Sequence, residues 1–237
     1  MTKTLLAILA HPDDEIGCAA TLAAHSASGH RVVLVFLTHG EMTESLGPLS
    51  AEAVARERRA HAHEAGRILG CEIRFLGYLD TRVESTPDAH YDVAKVIAEI
   101  KPNAVLTWGD AWIRGMRHPD HQATGDITRS AITLSRIARV VAPHAPHRDA
   151  APVFTIRDRN SMLPPIAIDV SAHAHKALEL GAHYRERVGW PPEDWHRDRL
   201  RTRGDEWGVQ AAEVFDAHES VGGLYHSLFE SAVLPPY

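Results

Sequence analysis

The sequence predicts an α/β protein in which helices cover both faces of a mostly parallel sheet, a Rossmann-like three-layer sandwich. Two compact apolar runs, Thr4–Leu9 and residues 31–37, lack the alternation of a half-exposed strand and suit strands buried on both faces. An Ala-rich helical segment separates them, and the strand-then-helix order repeats farther along the chain. This order is typical of right-handed βαβ crossovers. At 237 residues, one domain over 1–237 is the expected organisation.

The remaining elements are predicted from caps, breakers and apolar periodicity. Gly29, Gly70 and the pair Lys101-Pro102 mark expected helix ends. Ser171 is expected to cap a helix that runs to about Arg187. The predicted helices are 15–28, Ala51–Leu69, 91–100 and 122–137, and the further strands are 72–76, 103–108 and 166–170.

The last part of the chain, 188–237, is expected to form a loop and helix extension of a core that spans about 4–187. Within it, segment 189–204 carries Trp190, Pro191 and Trp195 among many charged residues. Paired Trp and Pro favour packing over disorder, so this segment is predicted to be an ordered loop rather than a linker. No internal repeat and no second domain are expected.

Composition excludes several classes of protein. The net charge is −6 with His neutral, and no basic stripe supports nucleic-acid binding. Only Cys18 and Cys71 are present, so we expect buried thiols rather than a disulfide framework. No run approaches the roughly 20 apolar residues that span a bilayer, and the N-terminal run is too short for a signal peptide. We expect a cytoplasmic protein without a membrane partner. The sequence is compatible with a homo-oligomer but does not specify one.

Two short segments, HPDDE at residues 11–15 and HPDH at residues 118–121, are rich in metal-ligand side chains. The first directly follows a predicted strand, and the second follows the loop after another. Because ligand sites in open α/β sheets form outside the carboxyl ends of the strands, the two segments can meet at one edge. Catalytic zinc takes three ligands from His and Asp or Glu, and spare acids and imidazoles beside it serve hydrolysis. The pair therefore predicts a metal-dependent amide hydrolase.

Each segment also has a purely structural interpretation. HPDDE can be the start of a helix, with Pro12 near the first position and the acidic residues complementing the helix dipole. HPDH can be a surface turn. For one segment alone these interpretations are as good as a metal site. Two segments in matching strand-end contexts favour the metal site.

The two segments resemble the AHPDDE and HPDH signatures of the PIG-L / LmbE-like family of zinc-dependent de-N-acetylases. Residues 37–41, LTHGE, look like the family's T-x-G-E turn, and residues 75–80, FLGYLD, are similar to its FLGYxD segment. Lys176 and His183 match a C-terminal K-x₆-H pattern, so the resemblance spans roughly residues 4 to 184. The chain departs from the family at residues 19–21 and 184–186, and its Gly-Cys pair lies one residue closer to the acidic motif. These departures leave the expected metal ligands unchanged, and they bear on which substrate is bound.

The resemblance implies a role for each residue of the two motifs. The implied ligands of a Zn²⁺ ion, with Fe²⁺ as the alternative, are His11, Asp14 and His121. Asp13 is implied as the general base that activates the attacking water. His118 is implied as the group that stabilises the oxyanion or protonates the leaving amine, with Asp120 orienting it.

Further residues are expected around this centre. Arg58 matches the position of a substrate-contacting Arg in the family, and its alternative is an ordinary solvated helix residue. Asp80 is expected either to reach a sugar hydroxyl or to cap a turn. Glu41 is expected to buttress the site, Trp108 to pack in the core, and Trp112 to line a pocket.

The implied activity is removal of an N-acetyl or other N-acyl group from an amino-sugar-type small molecule, such as an N-acetylglucosamine conjugate. One alternative is a thiol-conjugate amidase or another small-amide hydrolase on the same scaffold. A non-catalytic metal-binding module is the other. Asp13 and His118 argue against the module, because neither is needed merely to hold a metal.

Overall fold

A computed structural model describes residues 1–109, 118–158 and 161–231. Its strands are β1 (Thr4–Leu9), β2 (Arg31–Thr38), β3 (Glu72–Tyr78), β4 (Ala104–Trp108), β5 (Val153–Ile156), β6 (Pro165–Asp169), β7 (Ala212–Ala217) and β8 (Gly223–Tyr225). Its helices are α1 (Ala19–Ala27), α2 (Ala51–Leu69), α3 (Pro87–Ile100), α4 (Pro119–Leu134), α5 (Ala138–Val141), α6 (Ala174–Val188) and α7 (Trp195–Trp207). A short 3-10 helix, Asp14–Gly17, precedes α1.

These strands form one sheet in the order β3-β2-β1-β4-β5-β7-β6-β8. Strand β1 lies centrally, with Leu5 opposite Val32 of β2 and opposite Ala104 of β4. All pairings are parallel except those of β7 with β5 and β6. The predicted α/β fold class with a mostly parallel sheet is therefore confirmed.

Two apolar clusters on opposite faces of the sheet explain the continuous apolar run of β1. Its residues 5–9 are fully buried. Leu5, Ala7 and Leu9 join a cluster with residues of α1, α2 and α6, whereas Leu6 and Ile8 join one with residues of α3 and α4. Because successive side chains point to opposite faces, both faces of this strand require apolar residues. The result is the predicted sandwich of three layers.

Local signals place some helices well and others less so. Helix α2 has the predicted bounds, because Ser50 caps its first turn and Gly70, at φ 71°, ends it. Helix α3 begins at Pro87 rather than 91, since Thr86 caps it and Pro occupies the first turn. Helix α4 likewise begins inside the HPDH segment, at Pro119.

Two predicted helix starts are wrong. The helix expected over 15–28 is broken at Cys18, whose backbone at φ −141° separates the 3-10 helix from α1. Ser171 does not cap α6, which begins at Ala174 after His173. The hydroxyl of Ser171 instead donates to Asp169 Oδ1 at 2.6 Å, so it is already engaged in a local turn.

The C-terminal region is part of the sheet, which corrects the expected boundary of the core at residue 187. Strand β7 lies between β5 and β6, and it was not predicted because two acidic residues, Glu213 and Asp216, interrupt its apolar pattern. Segment 189–204 is not only a loop, since α7 begins at Trp195. The buried residues of α7 are His196, Leu200 and Gly204. Because only Leu200 among them is large and apolar, the sequence of α7 lacks the apolar periodicity that predicts a helix.

Both cysteines are free thiols. Cys18 is buried and Cys71 is half-buried. Within the three described ranges, no helix has both the length and the apolar character that crossing a bilayer requires.

His25 on α1 ties the C-terminal segment to the domain. Its Nδ1 donates to the carbonyl of Thr21 at 2.7 Å, and its Nε2 accepts from Ser227 Oγ at 3.0 Å and from the Leu228 N–H at 3.2 Å. Burial lowers the pKa of His25 to about 4 from its ordinary 6.5. A proton on Nε2 would set a donor against the Leu228 N–H, so the folded protein keeps this ring neutral.

We expect His25 to make the protein less stable in acid. Between pH 6.5 and about 4 the unfolded chain binds a proton that the folded chain does not. The free energy of unfolding therefore falls as the pH falls, by on the order of 3 kcal/mol across that window. Urea unfolding at pH 7 and pH 5 should show a smaller difference for His25→Gln than for the parent. The exposed His175→Gln is the control, and equal pH differences in His25→Gln and the parent would contradict the assignment.

Candidate active site

The HPDDE and HPDH segments meet at the carboxyl ends of β1 and β4, around a cavity of about 310 Å³. Of the eight residues expected as metal ligands, catalytic groups or substrate contacts, all but one line this cavity. Among the described residues, its lining consists of His11, Asp13, Asp14, Gly40, Met42, Thr43, Arg58, Asp80, Thr81, His118 and His121. Asp120 is the exception, because it lies fully buried beneath the cavity.

The three expected metal ligands lie together. Ligand atoms of His11, Asp14 and His121 are all within 4.8 Å of one another. Asp14 Oδ1 is 3.1 Å from His121 Nε2, and Asp14 Oδ2 is 3.7 Å from His11 Nδ1. Two imidazoles and one carboxylate are a donor set that suits Zn²⁺ or Fe²⁺. The chemistry of these residues therefore fits a divalent cation.

Asp14 is held in place by donors from its own loop and from β4. Its Oδ2 accepts from the N–H groups of Ala10 at 3.0 Å and His11 at 2.9 Å, and from Trp108 Nε1 at 3.2 Å. Burial by itself would raise the pKa of Asp14, but His121 and His11 hold it well below its usual range. The carboxylate is thus ionised and fixed before any ligand arrives.

His11 is oriented by two acidic side chains behind it. Its Nε2 lies 3.1 Å from Asp120 Oδ2 and 3.1 Å from Asp80 Oδ1. Burial lowers the pKa of His11, but these two carboxylates and Asp14 outweigh it and raise the pKa to about 12. Because Nε2 donates to these carboxylates, Nδ1 is the atom that faces Asp14 and can bind a metal ion in place of a proton, an arrangement common among metal-ligating histidines. The three carboxylates that raise the pKa of His11 also favour a bound cation at this position.

Asp120 contacts a different histidine from the one expected. Its carboxylate accepts from His11, from the Thr81 N–H at 2.7 Å and from the Val83 N–H at 3.3 Å. The hydrogen bond described between Asp120 and His118 runs from the Asp120 N–H to Nδ1 at 3.3 Å, because His118 is the N-cap of α4. The carboxylate of Asp120 therefore orients His11, and its backbone orients His118.

Asp80 is engaged with the protein on both oxygens. Oδ1 faces His11, and Oδ2 accepts from the Met42 N–H at 3.0 Å. Its own N–H donates to Glu41 Oε1 at 2.8 Å. Glu41 thus reaches the site through the backbone of Asp80, which ties the turn after β2 to the turn after β3.

Asp13 has a strained backbone, and Glu15 and Arg58 hold it in place. Its φ of 93° lies in the left-handed region, which a non-glycine residue adopts at a cost in energy that is often found at functional sites. Its N–H donates to Glu15 Oε2 at 2.9 Å, and Tyr184 donates to Glu15 Oε1 at 2.6 Å. Removal from water raises the pKa of Asp13, and Arg58 opposes this shift. A carboxylate with a raised pKa is suited to accept a proton.

Arg58 is buried, with 2% of its surface exposed, so the solvated-helix interpretation is wrong. Its Nη2 donates to Asp13 Oδ2 at 2.8 Å and to the carbonyl of Pro12. Gly40, at φ 69°, packs against it, and a Cβ there would lie 3.1 Å from Arg58 Nε. The guanidinium therefore lies between the acidic motif and the turn after β2.

Some contacts were not anticipated from the sequence. Trp108 is buried as expected, but its ring also stacks on His121 at 4.1 Å between centroids. Its position at the end of β4 is the one signal that could have indicated this. Tyr184 reaches Glu15 across 169 positions of sequence, for which no local signal exists.

The K-x₆-H match does not contribute to the cavity. His183 Nε2 lies 2.9 Å from the carbonyl of His61, and Lys176 pairs with Glu179 at 2.8 Å. Trp112, expected to line a pocket, falls outside the described residues.

Comparison with known proteins finds several deacetylases and also a mycothiol S-conjugate amidase of Streptomyces coelicolor, 31% identical over 150 residues that cover 54% of this chain and 50% of that protein. The chain is 32% identical over 179 residues to 1D-myo-inositol 2-acetamido-2-deoxy-alpha-D-glucopyranoside deacetylase 1 of Catenulispora acidiphila, covering 64% of this chain and 55% of that protein. It is 32% identical over 137 residues to a probable N-acetyl-alpha-D-glucosaminyl L-malate deacetylase 2 of Bacillus anthracis, covering 55% and 59%. The chain thus spans about half the length of these curated relatives.

A similar solved structure is the N,N'-diacetylchitobiose deacetylase of Pyrococcus horikoshii, with a TM-score of 0.80 and 25% identity over 91% of this chain and 84% of that one. The model of the GlcNAc-PI de-N-acetylase family, PIG-L, matches residues 6–132, more than half of the sequence. That range contains both motifs and every residue proposed above as a metal ligand or catalytic group. The chain belongs to the PIG-L family of GlcNAc-PI de-N-acetylases.

Proposed function

We propose that this protein hydrolyses the N-acetyl amide of an amino-sugar conjugate with a divalent cation held by His11, Asp14 and His121. The observation that carries the proposal is the convergence of this donor set with Asp13 and His118 in one cavity. The site chemistry supports amide hydrolysis, and the names of the relatives support the N-acetylglucosamine unit. Zn²⁺ is the expected ion and Fe²⁺ the alternative. A purely metal-binding role leaves the second carboxylate and the third imidazole without a purpose.

A divalent cation at this position supplies Lewis acidity that polarises the amide carbonyl and makes water acidic. Asp13 takes a proton from the attacking water. We assign this step to Oδ1, because Oδ2 accepts from Arg58. The strained backbone and the Glu15 contact keep the carboxylate of Asp13 beside the ligands without making it one of them.

His118 acts from the other side of the cavity. Its ring centroid lies 4.5 Å from that of His11, and its Nδ1 accepts from the Asp120 N–H. Nε2 is therefore the atom that carries the proton. It donates to the carbonyl oxygen as negative charge develops, and Asp13 passes the proton that it took from water to the leaving nitrogen. The C–N bond breaks, the water oxygen stays on the acyl carbon, and the products are acetate and a free amine.

The cavity limits the size of the group that enters it. A volume of about 310 Å³ lies at the lower end of small-molecule sites, which suits one sugar unit with its acetamido group. Gly40, Thr43 and Thr81 also line the cavity. We infer that one N-acetylated ring is bound inside and that the rest of the conjugate stays outside.

An amine-release assay tests the proposed function. The zinc-loaded protein is incubated with N-acetylglucosamine linked to inositol, to malate or to a second sugar, and with the amide of a thiol conjugate. We expect free amine from at least one N-acetylglucosamine conjugate. Cleavage of the thiol-conjugate amide alone would favour the amidase alternative. Stoichiometric zinc without any amine release would favour a metal-binding module.

We expect Arg58→Ala to lower kcat on the order of 10-fold or more, with a smaller change in KM. Arg58 donates directly to the proposed base, so its loss changes the position and the pKa of Asp13 rather than substrate affinity. Arg58→Lys should recover only part of the loss. An ammonium keeps the positive charge, but it lacks the planar fork that reaches two acceptors. Steady-state kinetics with the exposed Arg56→Ala as control decide this. A raised KM at unchanged kcat would make Arg58 a substrate-binding residue, as the family resemblance implies.

A further inference from the structure

The break between the 3-10 helix Asp14–Gly17 and α1 leaves backbone groups in need of partners. The carbonyls of Ile16 and Gly17 lie at the end of the 3-10 helix, and the N–H groups of Ala20 and Thr21 lie in the first turn of α1. Such groups at helix ends have no acceptor or donor within their own helix. Leaving them buried and unpaired costs free energy, so their partners decide whether the break is stable.

Arg199 of α7 supplies the missing donors. Its Nη1 donates to the carbonyl of Ile16 at 3.2 Å, and its Nη2 donates to the carbonyl of Gly17. His196, one turn earlier on α7, places Nε2 3.3 Å from the same Ile16 carbonyl. One planar guanidinium thus spans two successive carbonyls, a geometry that its fork of donors fits.

Glu213 of β7 supplies the missing acceptors on the other side of the break. Its Oε1 accepts from the Ala20 N–H at 3.2 Å, and its Oε2 accepts from the Thr21 N–H at 2.8 Å. The side chain is buried, with 1% of the residue exposed. Burial raises the pKa of Glu213, and the charge of Arg199 opposes that shift. A carboxylate at this place also complements the positive end of the α1 dipole.

The break matters because the proposed catalytic groups lie directly before it. Asp14 is the first residue of the 3-10 helix, and its carboxylate turns back onto the Ala10 and His11 N–H groups. Asp13 precedes it in the left-handed conformation. If the 3-10 helix and α1 merged into one continuous helix, the backbone of both acidic residues would rotate away from these positions.

We propose that Arg199 and Glu213 are positioning residues, which fix the segment carrying Asp13 and Asp14 by pairing the backbone groups at the break. Both lie beyond residue 132, outside the part of the chain that matches the PIG-L model, so the C-terminal region completes the site from behind. This inference rests on the proposed function for its effect on turnover. Its effect on metal affinity requires only that the metal site exists.

The test uses the full chain with Arg199→Ala, Arg199→Lys and Glu213→Gln. Arg201→Ala is the matched control, because Arg201 is exposed on the same helix and pairs only with Asp198 among the described ion pairs. Zinc affinity is measured by competition with a chromophoric chelator. The kcat and KM are measured separately, at saturating zinc. Circular dichroism and thermal melting of the zinc-free proteins show which variants fold.

We expect Arg199→Ala and Glu213→Gln to bind zinc on the order of 10-fold to 100-fold more weakly and to lower kcat, with KM within about 2-fold of the parent. Gln presents an NH₂ group to one of the two N–H donors, so it cannot replace the carboxylate. Arg199→Lys should lie between the parent and Arg199→Ala, because an ammonium cannot span both carbonyls. Arg201→Ala should match the parent.

Unchanged zinc affinity and kcat in folded Arg199→Ala and Glu213→Gln would overturn the proposal, and so would a lower melting temperature with no other change. If Arg199→Ala does not fold, Arg199→Lys and Glu213→Gln decide the question by the same two quantities. If the parent chain releases no amine, the proposed function fails. The comparison of zinc affinities still decides whether these two residues position the site.

Discussion

Replacing His121 by alanine is expected to remove the metal and to lower amide hydrolysis by on the order of 10³-fold or more. The substitution leaves only His11 and Asp14 of the donor set, and it removes the partner that lies 3.1 Å from Asp14 Oδ1. Trp108 also loses the ring against which it stacks, so the wall of the site loosens. Elemental analysis of the purified protein, with the rate measured on the same sample, checks this result.

His11→Ala and Asp14→Ala should have the same effect, because a site with two ligands holds zinc too weakly to survive purification. His175→Ala is the control, since His175 is exposed on α6 and does not line the cavity. Full metal content in both His11→Ala and His121→Ala would remove the basis for the proposed site. Chelation of the parent followed by addition of Zn²⁺ or Fe²⁺ identifies the ion that restores turnover.

Asp13→Asn is expected to keep the metal and to lose activity on the order of 10²-fold or more. The amide has nearly the same shape as the carboxylate and its oxygen still accepts from Arg58, so the loop should keep its conformation. It cannot take a proton from water, which is the step assigned to Asp13. Metal content and kcat measured side by side separate loss of the base from loss of the site.

Asp88→Asn, an exposed change on α3, controls for the removal of one negative charge. Near-parent turnover of Asp13→Asn with full metal would show that the base is wrongly assigned. Asp120 and Glu15 would then be the next candidates. Their contacts make each a poorer base, because Asp120 is engaged by His11 and Glu15 by Tyr184.

Much of the fold could be predicted because its signals are local. The apolar run of β1 reports burial on both faces of the sheet, and Ser50 and Gly70 mark the ends of α2 through contacts a few residues apart. The HPDDE and HPDH segments could be placed at one edge of the sheet for a related reason. Parallel strands joined by helices bring their carboxyl ends to the same side.

The tertiary structure alone decided which side chains pair within the site. Asp13 meets Arg58 across 45 positions of sequence, and His11 meets Asp120 across 109, so the path of the chain sets these contacts rather than any spacing in it. Strand β7 was hidden for the same reason. Its acidic residue Glu213 looks unsuited to a buried strand until Ala20 and Thr21, folded against it from α1, supply the donors that satisfy it.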